Sequence, residues 1–232
     1  MPTYLQLCQS VSRESGTIDG SNQPASVTGQ VGRLNKVVVW TAEAWTRIQN
    51  LHASWRFRRQ QFSAALLANT QDYTAAALNI ADLLQWRPVN PQEPHNITIY
   101  DPAIGVSDET RLQFLPWSIF RRVYKFGQQD AQRPTHYTVK PDNSLSFGPV
   151  PDKPYVAQGE YIRTAQILAA NDDIPICPAD YHNTIVNLAI QLLAEHDEGE
   201  WQAGTAAIRY SEQLRSMAST ELPQAVIGGP LA

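Results

Sequence analysis

The chain has 232 residues, 43% of them hydrophobic and 17% charged, which is the composition of a folded chain with a sizeable core and excludes an intrinsically disordered one. The formal net charge of -4 disfavours a dedicated nucleic-acid binder, which would carry a basic excess. No apolar run reaches the length of a membrane span, and the first residues lack the basic-then-apolar pattern of a signal peptide, so neither a membrane partner nor secretion is expected.

Thr3 is placed to cap a first helix whose apolar face is Tyr4, Leu7, Cys8 and Val11, ending near Gly16. A polar, Gly-rich connection, 16–32, leads into the longest helical pattern of the chain, 33–55. There Leu34, Val37, Val38, Thr41, Trp45, Ile48, Leu51 and Trp55 recur at steps of three and four and predict one buried face. Arg33, Lys36, Glu43, Arg47, Gln49 and Asn50 fall on the other. The run RFRRQQF at 56–62 reads as a solvated helix end, with a phosphate-contacting patch as its functional alternative.

The chain then looks extended from Phe62 to Tyr73, and Pro88, Pro91, Pro94 and Pro102 forbid a long helix. NITIY at 96–100 alternates with the period of a strand, with Ile97 and Ile99 on one face. Residues 107–127 predict a helical segment: Ser107 caps it, Pro116 opens a fresh turn, and Trp117, Phe120 and Tyr124 share a face. THYTV and SLSFGP, joined by KPDN, predict a hairpin. PYVAQGEYIRTA follows a Pro-rich turn, and the prolines suggest edge strands of a short twisted sheet. Two strong helices, 179–196 and 200–219, are the expected partners of the 33–55 stripe. The segment ELPQAVIGGPLA, with Glu221 its only charge, reads as an extended arm with Val226, Ile227 and Leu231 to bury.

No catalytic constellation stands out. Cys8 and Cys177 lie far apart and read as two buried free thiols. His52, His95, His136, His182 and His196 are scattered, and the acidic residues around His182 and His196 lack the paired spacing of a metal site, so no metal, cofactor or catalytic residue is assigned. The residues alone describe a helical domain with a β insertion and a sticky tail, a profile closer to an assembly protein than to an enzyme. The expected fold class is α+β, mainly α: a helical bundle (1–58 and 176–220), a small antiparallel β insertion (59–175, with one helix near 107–126) and an extended C-terminal arm (221–232).

The order of motifs resembles the head-to-tail adaptor (connector or neck) proteins of tailed bacteriophages. Four stretches carry the resemblance. They are VVVWTAEAWTRIQNLHASWRFRR, LQFLPWSIFRRVYKFGQQDAQRPTHYTV, the run from LSFGPVPDKPYV through DYHNTIVNLAIQLLAEHDE, and WQAGTAAIRYSEQLRSM. It implies a non-enzymatic virion protein of the neck, assembled in the host cytoplasm. Copies would form a ring, usually of twelve, beneath the portal protein. The ring would extend the channel for passing double-stranded DNA and offer a docking surface to a downstream neck or tail protein. It also implies a portal-gripping arm, mapped here onto Leu222, Pro223, Val226, Ile227 and Leu231. On the outer face of the long helix it makes Arg33, Lys36, Glu43, Arg47 and Asn50 candidates for subunit contacts or for the channel wall. The alternatives are a stopper, tail terminator or tail-tube component and, in a different class, a hydrolase using Asp180 and His182 or the acidic residues 195–198.

Overall fold

The computed structural model describes residues 1–16, 23–87, 96–196 and 200–223, with the backbone alone for 200–203. Helices α1 (Tyr4–Glu14) and α2 (Gly32–Leu51) come first, followed by strands β1 (Arg59–Leu66), β2 (Asp72–Tyr73), β3 (Leu83–Trp86) and β4 (Ile97–Tyr100). Two-residue strands β5 (Thr110–Arg111) and β6 (Gln113–Phe114) precede α3 (Trp117–Tyr124). The hairpin β7 (His136–Val139) and β8 (Leu145–Gly148) leads to β9 (Tyr155–Arg163), and α4 (His182–His196) and α5 (Glu200–Glu221) close the order. The chain divides into two compact units, Met1–Arg58 with Ala165–Ala232, and Arg59–Thr164.

The first unit is built on α4. Every residue from Thr184 to Ile190 is buried, so the middle of this helix has no solvent face. It packs against α1, α2 and α5. The predicted stripe of α2 holds at Val37, Val38, Thr41, Trp45 and Ile48, all buried, but its chief partner is α4, while α5 lies on α4 in turn. Thr3 caps α1 in a full capping box with Gln6. The Tyr4 hydroxyl donates to the Val38 carbonyl at 2.7 Å and ties α1 to α2. The Asn187 amide donates to Gln213 at 2.9 Å and ties α4 to α5.

The end of α2 corrects the sequence reading in four places. The helix stops at Leu51, which is 47% exposed rather than core. Trp55, outside the helix and fully buried, turns back to donate its indole N–H to the Ile48 carbonyl at 3.0 Å. Arg58, expected in solvent, is buried and donates to the Gln49 carbonyl at 2.9 Å. The orphan carbonyls of the last turn are thus capped from beyond the helix. Gln49, assigned by spacing to the polar face, is fully buried. Its amide exchanges two hydrogen bonds with the main chain of Gln166, accepting from the N–H at 2.8 Å and donating to the carbonyl at 2.9 Å. The Gln166 side chain in turn accepts from Trp45 and from Ile176 N–H.

The expectation of a mainly helical bundle with a small β insertion is wrong. Among the described residues 42% are helical and 19% strand, a mixed α/β composition with two sheets in the second unit. One sheet runs β1-β9-β4-β5, with β3 also on β9; the other runs β2-β8-β7-β6, and its β6–β7 pair is parallel rather than antiparallel. The reason for the miss is local. Strands of two to four residues carry too little alternation to read, and their pairing comes from partners distant in sequence. β9, expected at an edge from its flanking prolines, is the centre of its sheet: it pairs with β1 over its whole length and with β4 and β3 on the other side. The predicted helix at 107–127 is helical only in α3. The hairpin forms as expected, its turn closed by Asn143 in the left-handed conformation.

A single aromatic-rich core joins the strands of this unit, including Phe62, Leu66, Tyr73, Trp86, Tyr137, Phe147 and Tyr155. α3 lies over β7 and β8 with Phe120 fully buried. Gly148 permits that approach, because a Cβ there would sit 2.7 Å from the Tyr124 ring and 2.9 Å from Phe120. The proline-rich stretch 88–95, part of the Gly-rich connection (17–22) and the turn at 197–199 lie outside the described residues.

Gln49→Ala removes both partners of the half-buried Gln166 main chain. It is expected to lower unfolding free energy by about 1–3 kcal/mol in a urea titration, where an exposed-face change such as Asn50→Ala stays within about 0.5 kcal/mol. Equal effects of the two would show that Gln49 is not the joint described.

Candidate interaction surfaces

Arg33, Lys36, Glu43, Arg47 and Asn50 do share one stripe of α2 away from the core; Arg33, Arg47 and Asn50 are exposed, and Lys36 and Glu43 half-buried. The spacing follows from the 3.6-residue turn, which puts them opposite Thr41 and Ile48. Arg47 pairs with Glu43 at 2.9 Å, one turn apart, so those two charges neutralise each other. Sequence reasoning missed the apolar members of this face. Val39 is 52% exposed, Leu51 sits at its end, and Trp40 is half-buried with its ring 6.4 Å from that of His196.

The arm departs where α5 ends. Glu221 is buried, and its carboxylate accepts from Arg56 at 3.1 Å. Leu222 packs against the helical core and Pro223 is exposed, whereas Val226, Ile227 and Leu231 lie outside the described residues. A cavity of about 470 Å³ opens beside this ion pair, lined by Met1, Arg56, Phe57, Ile174, Pro175, Ile176, Cys177, Pro178 and Glu221. Burial, with the Glu221 charge adding to it, pushes the Cys177 thiol up to about 12. Burial does the same to Cys8. Both cysteines are free and buried, as their spacing predicted. Of the arginines of RFRRQQF, Arg58 is buried on the Gln49 carbonyl, which removes it from any phosphate patch, while Arg56 stays exposed and pairs with Glu221.

The residues weighed for hydrolysis are not brought together. His182 is buried at the start of α4 with Nε2 3.2 Å from the Cys177 carbonyl, and burial depresses its pKa; Asp180 is exposed. Glu195 accepts from Gln191 on its own helix, and 197–198 lie outside the described residues. Among the described residues no group of three or more His, Cys, Asp or Glu side chains is placed to hold a metal ion, and no helix is long and apolar enough to cross a membrane.

Two features of the second unit had no distinct sequence signal. The first is the loop 101–109. Asp101 is held by Lys153 and accepts from Ala103 N–H at 2.8 Å, while Asp108 accepts from Asp101 N–H at 2.9 Å and from Arg133. Arg133 also donates to the Asp108 carbonyl and to Thr110. The Lys153 ammonium holds the Asp101 carboxyl below its ordinary range, and the Arg133 guanidinium does the same for Asp108. Gly105, at φ 89° and ψ -168°, occupies a region open in practice only to glycine. This bracing displays Ile104 and Val106 at 61% and 62% exposure. The second is a cavity of about 330 Å³ lined by Gln85, Trp86, Arg87, Phe114, Tyr137, Val139 and Asn143. The Trp86 indole donates to the Asn143 carbonyl at 2.9 Å and fixes one wall.

Exposed apolar residues set among paired charges are the chemistry of protein contact, and the comparisons agree with a structural role. The family model described as SU10 adaptor protein matches residues 2–229. The chain belongs to that family and is a structural adaptor protein of a phage. No curated protein matches it.

Arg133→Gln is expected to release the loop without unfolding the unit. Hydrogen exchange should accelerate at the amides of 101–109 and stay unchanged along β9; uniform acceleration, or none, would contradict the bracing described.

Proposed function

We propose that the chain is a head-to-tail adaptor of the virion neck. Copies assemble as a ring, twelve by the family's usual count, beneath the portal protein. The ring extends the DNA channel and carries the next neck or tail protein. The observation that carries this reading is the family match over residues 2–229. The net charge of -4 is compatible with a conduit, since a basic wall would retain the phosphates of passing DNA.

The portal anchor in this reading is the arm, with Leu222, Pro223, Val226, Ile227 and Leu231 as its contact residues. An uncharged segment that carries Val226, Ile227 and Leu231 has the chemistry to dock in a groove or to add a strand to a neighbouring sheet. Its root is fixed by the Arg56–Glu221 pair, which keeps the end of α5 in place whatever the arm does. The stripe of Arg33, Lys36, Glu43, Arg47 and Asn50 is assigned to contacts between neighbouring subunits rather than to the channel wall. Val39 and Leu51 on the same face favour this choice: apolar side chains gain from burial against protein and gain nothing from facing DNA in transit.

Electron microscopy of the purified chain mixed with its portal tests the reading. Rings on the portal are the expected result. Deleting 222–232 should leave the fold intact and abolish portal attachment. Attachment of the shortened chain with undiminished affinity would remove the arm as anchor, and a full-length chain that forms no ring on the portal would overturn the adaptor reading.

A further inference from the structure

Strand β1 stands at the outer edge of its sheet. Its inner side pairs with β9 in one continuous register from Arg59 to Leu66, and among the described residues no strand lies on its other side. The other outer strands are shorter: β2, β5 and β6 have two residues each, and β3 has four with an irregular register. Which groups of β1 face outward follows from its neighbours. The Glu160 carbonyl accepts from Arg87 N–H on the β3 side, so Glu160 turns away from β1, and its partner Gln61 turns away from β9. Alternation then directs the N–H and C=O of Gln61, Ser63 and Ala65 outward, and those of Gln60, Phe62, Ala64 and Leu66 to β9. Leu67 continues the outward series, and its N–H is met by the Tyr73 hydroxyl at 2.6 Å. Among the described residues the outward backbone groups of Gln61, Ser63 and Ala65 have no such partner.

Edge strands of proteins that stay alone are blunted by a charge in mid-strand, a proline or a bulge. β1 has none of these. Its one charge is Arg59, at the first position, and the exposed side chains Gln61, Ser63 and Ala65 are uncharged. A row of backbone donors and acceptors in this spacing is matched by another extended chain. The C-terminal residues beyond the described ones have that form. They continue from the exposed Pro223, carry no charge, and place six residues, 224–229, between Pro223 and Pro230. The prolines lack the N–H that a ladder needs and so bound the pairing stretch. Ile227 set opposite Phe62, an aliphatic side chain beside an aromatic one on the buried face, fixes an antiparallel register. Val226 then meets Ser63, Gly228 meets Gln61, and Gln224 meets Ala65. The same register sets Pro223 opposite Leu66 and Pro230 opposite Arg59, so the stretch bounded by the prolines has the length of β1. An arm of the same chain starts from the wrong end. Glu221 is held by Arg56, just before Arg59, whereas the register begins at Leu66, roughly 23 Å further along extended strand, with Leu222 alone between Glu221 and Pro223. This favours a second copy as the donor.

We propose that β1 of one copy takes residues 224–229 of a second copy's arm as an added antiparallel strand. The proposal rests on the arm reading above and gives the same residues a second site. An arm fills one site at a time, so β1 and the portal compete for it, and a chain that has not met the portal lodges its arm on another copy.

Thiol cross-linking tests it. Ser63→Cys and Val226→Cys put thiols opposite each other on the exposed face of the added strand, and the native cysteines are buried. The full-length variants are mixed at high concentration and treated with a short bifunctional maleimide. The mixture should give a covalent dimer on a denaturing gel, and either variant alone should stay monomeric. No dimer from the mixture, or as much dimer from one variant alone, would overturn the proposal. Hydrogen exchange of the unsubstituted chain reads the same contact. The amides of Gln61, Ser63 and Ala65 should slow at least tenfold as the concentration is raised, while those of Gln60, Phe62 and Ala64 stay as they are. Fast exchange of the three at every concentration would overturn the proposal, and so would protection independent of concentration, which is the mark of the chain's own arm on β1. The two readings fail separately. Portal attachment that needs 222–232, with no cross-link, removes this contact and leaves the anchor; a cross-link with portal attachment indifferent to that deletion does the reverse.

Discussion

The burial of α4 on all sides is the constraint from which the helical unit follows. A helix whose residues from Thr184 to Ile190 are all buried must be enclosed, and each enclosed Ile, Leu or Val side chain contributes about 1.5–3 kcal/mol. α1, α2 and α5 supply the enclosure. That demand orders the smaller features. The capping box at Thr3 starts α1 where Tyr4 reaches Val38, and Trp55 and Arg58 finish α2 where the chain must leave the bundle for the strands. Because the inward faces are consumed in this way, what remains outside is short and specific: the α2 stripe, the root of the arm and the surfaces of the β unit.

The legible parts of the sequence are those whose cause is local. The α1 cap, the buried face of α2, the alternation of Ile97 and Ile99, and the KPDN turn all depend on neighbours within a few residues, and all are present. What escaped was set by distant partners. Gln49 is polar and groups in sequence with its neighbours Arg47 and Asn50 on the outer face, yet the Gln166 main chain makes it a core residue. Arg58 is buried because carbonyls at the end of α2 need donors. β9 is flanked by prolines yet central, since its N–H groups are met on both sides by strands nearly a hundred residues earlier and by others nearer. The share of β structure was underestimated for the same reason.

The candidate surfaces divide in the same manner. The charged members of the α2 stripe follow from helical spacing, while Val39 and Trp40 on that face did not look like part of it, because apolar residues in a helix are first read as core. The loop 101–109 looks like an ordinary turn in sequence. Its rigidity comes from Lys153 and Arg133, which arrive from elsewhere in the chain, and from one glycine whose backbone angles no other residue adopts cheaply. The cavity beside Trp86 is assembled from β3, β6, β7 and a turn, so no contiguous motif marks it. An adaptor is defined by what it touches, and the candidate surfaces are the least local features of the sequence.

The most direct measurement is a cryo-electron microscopy map of the neck in intact virions. The account predicts that residues 2–229 fit a ring of density immediately beneath the portal. A neck whose density under the portal belongs to another protein, with this chain elsewhere in the particle or missing from it, would contradict the account.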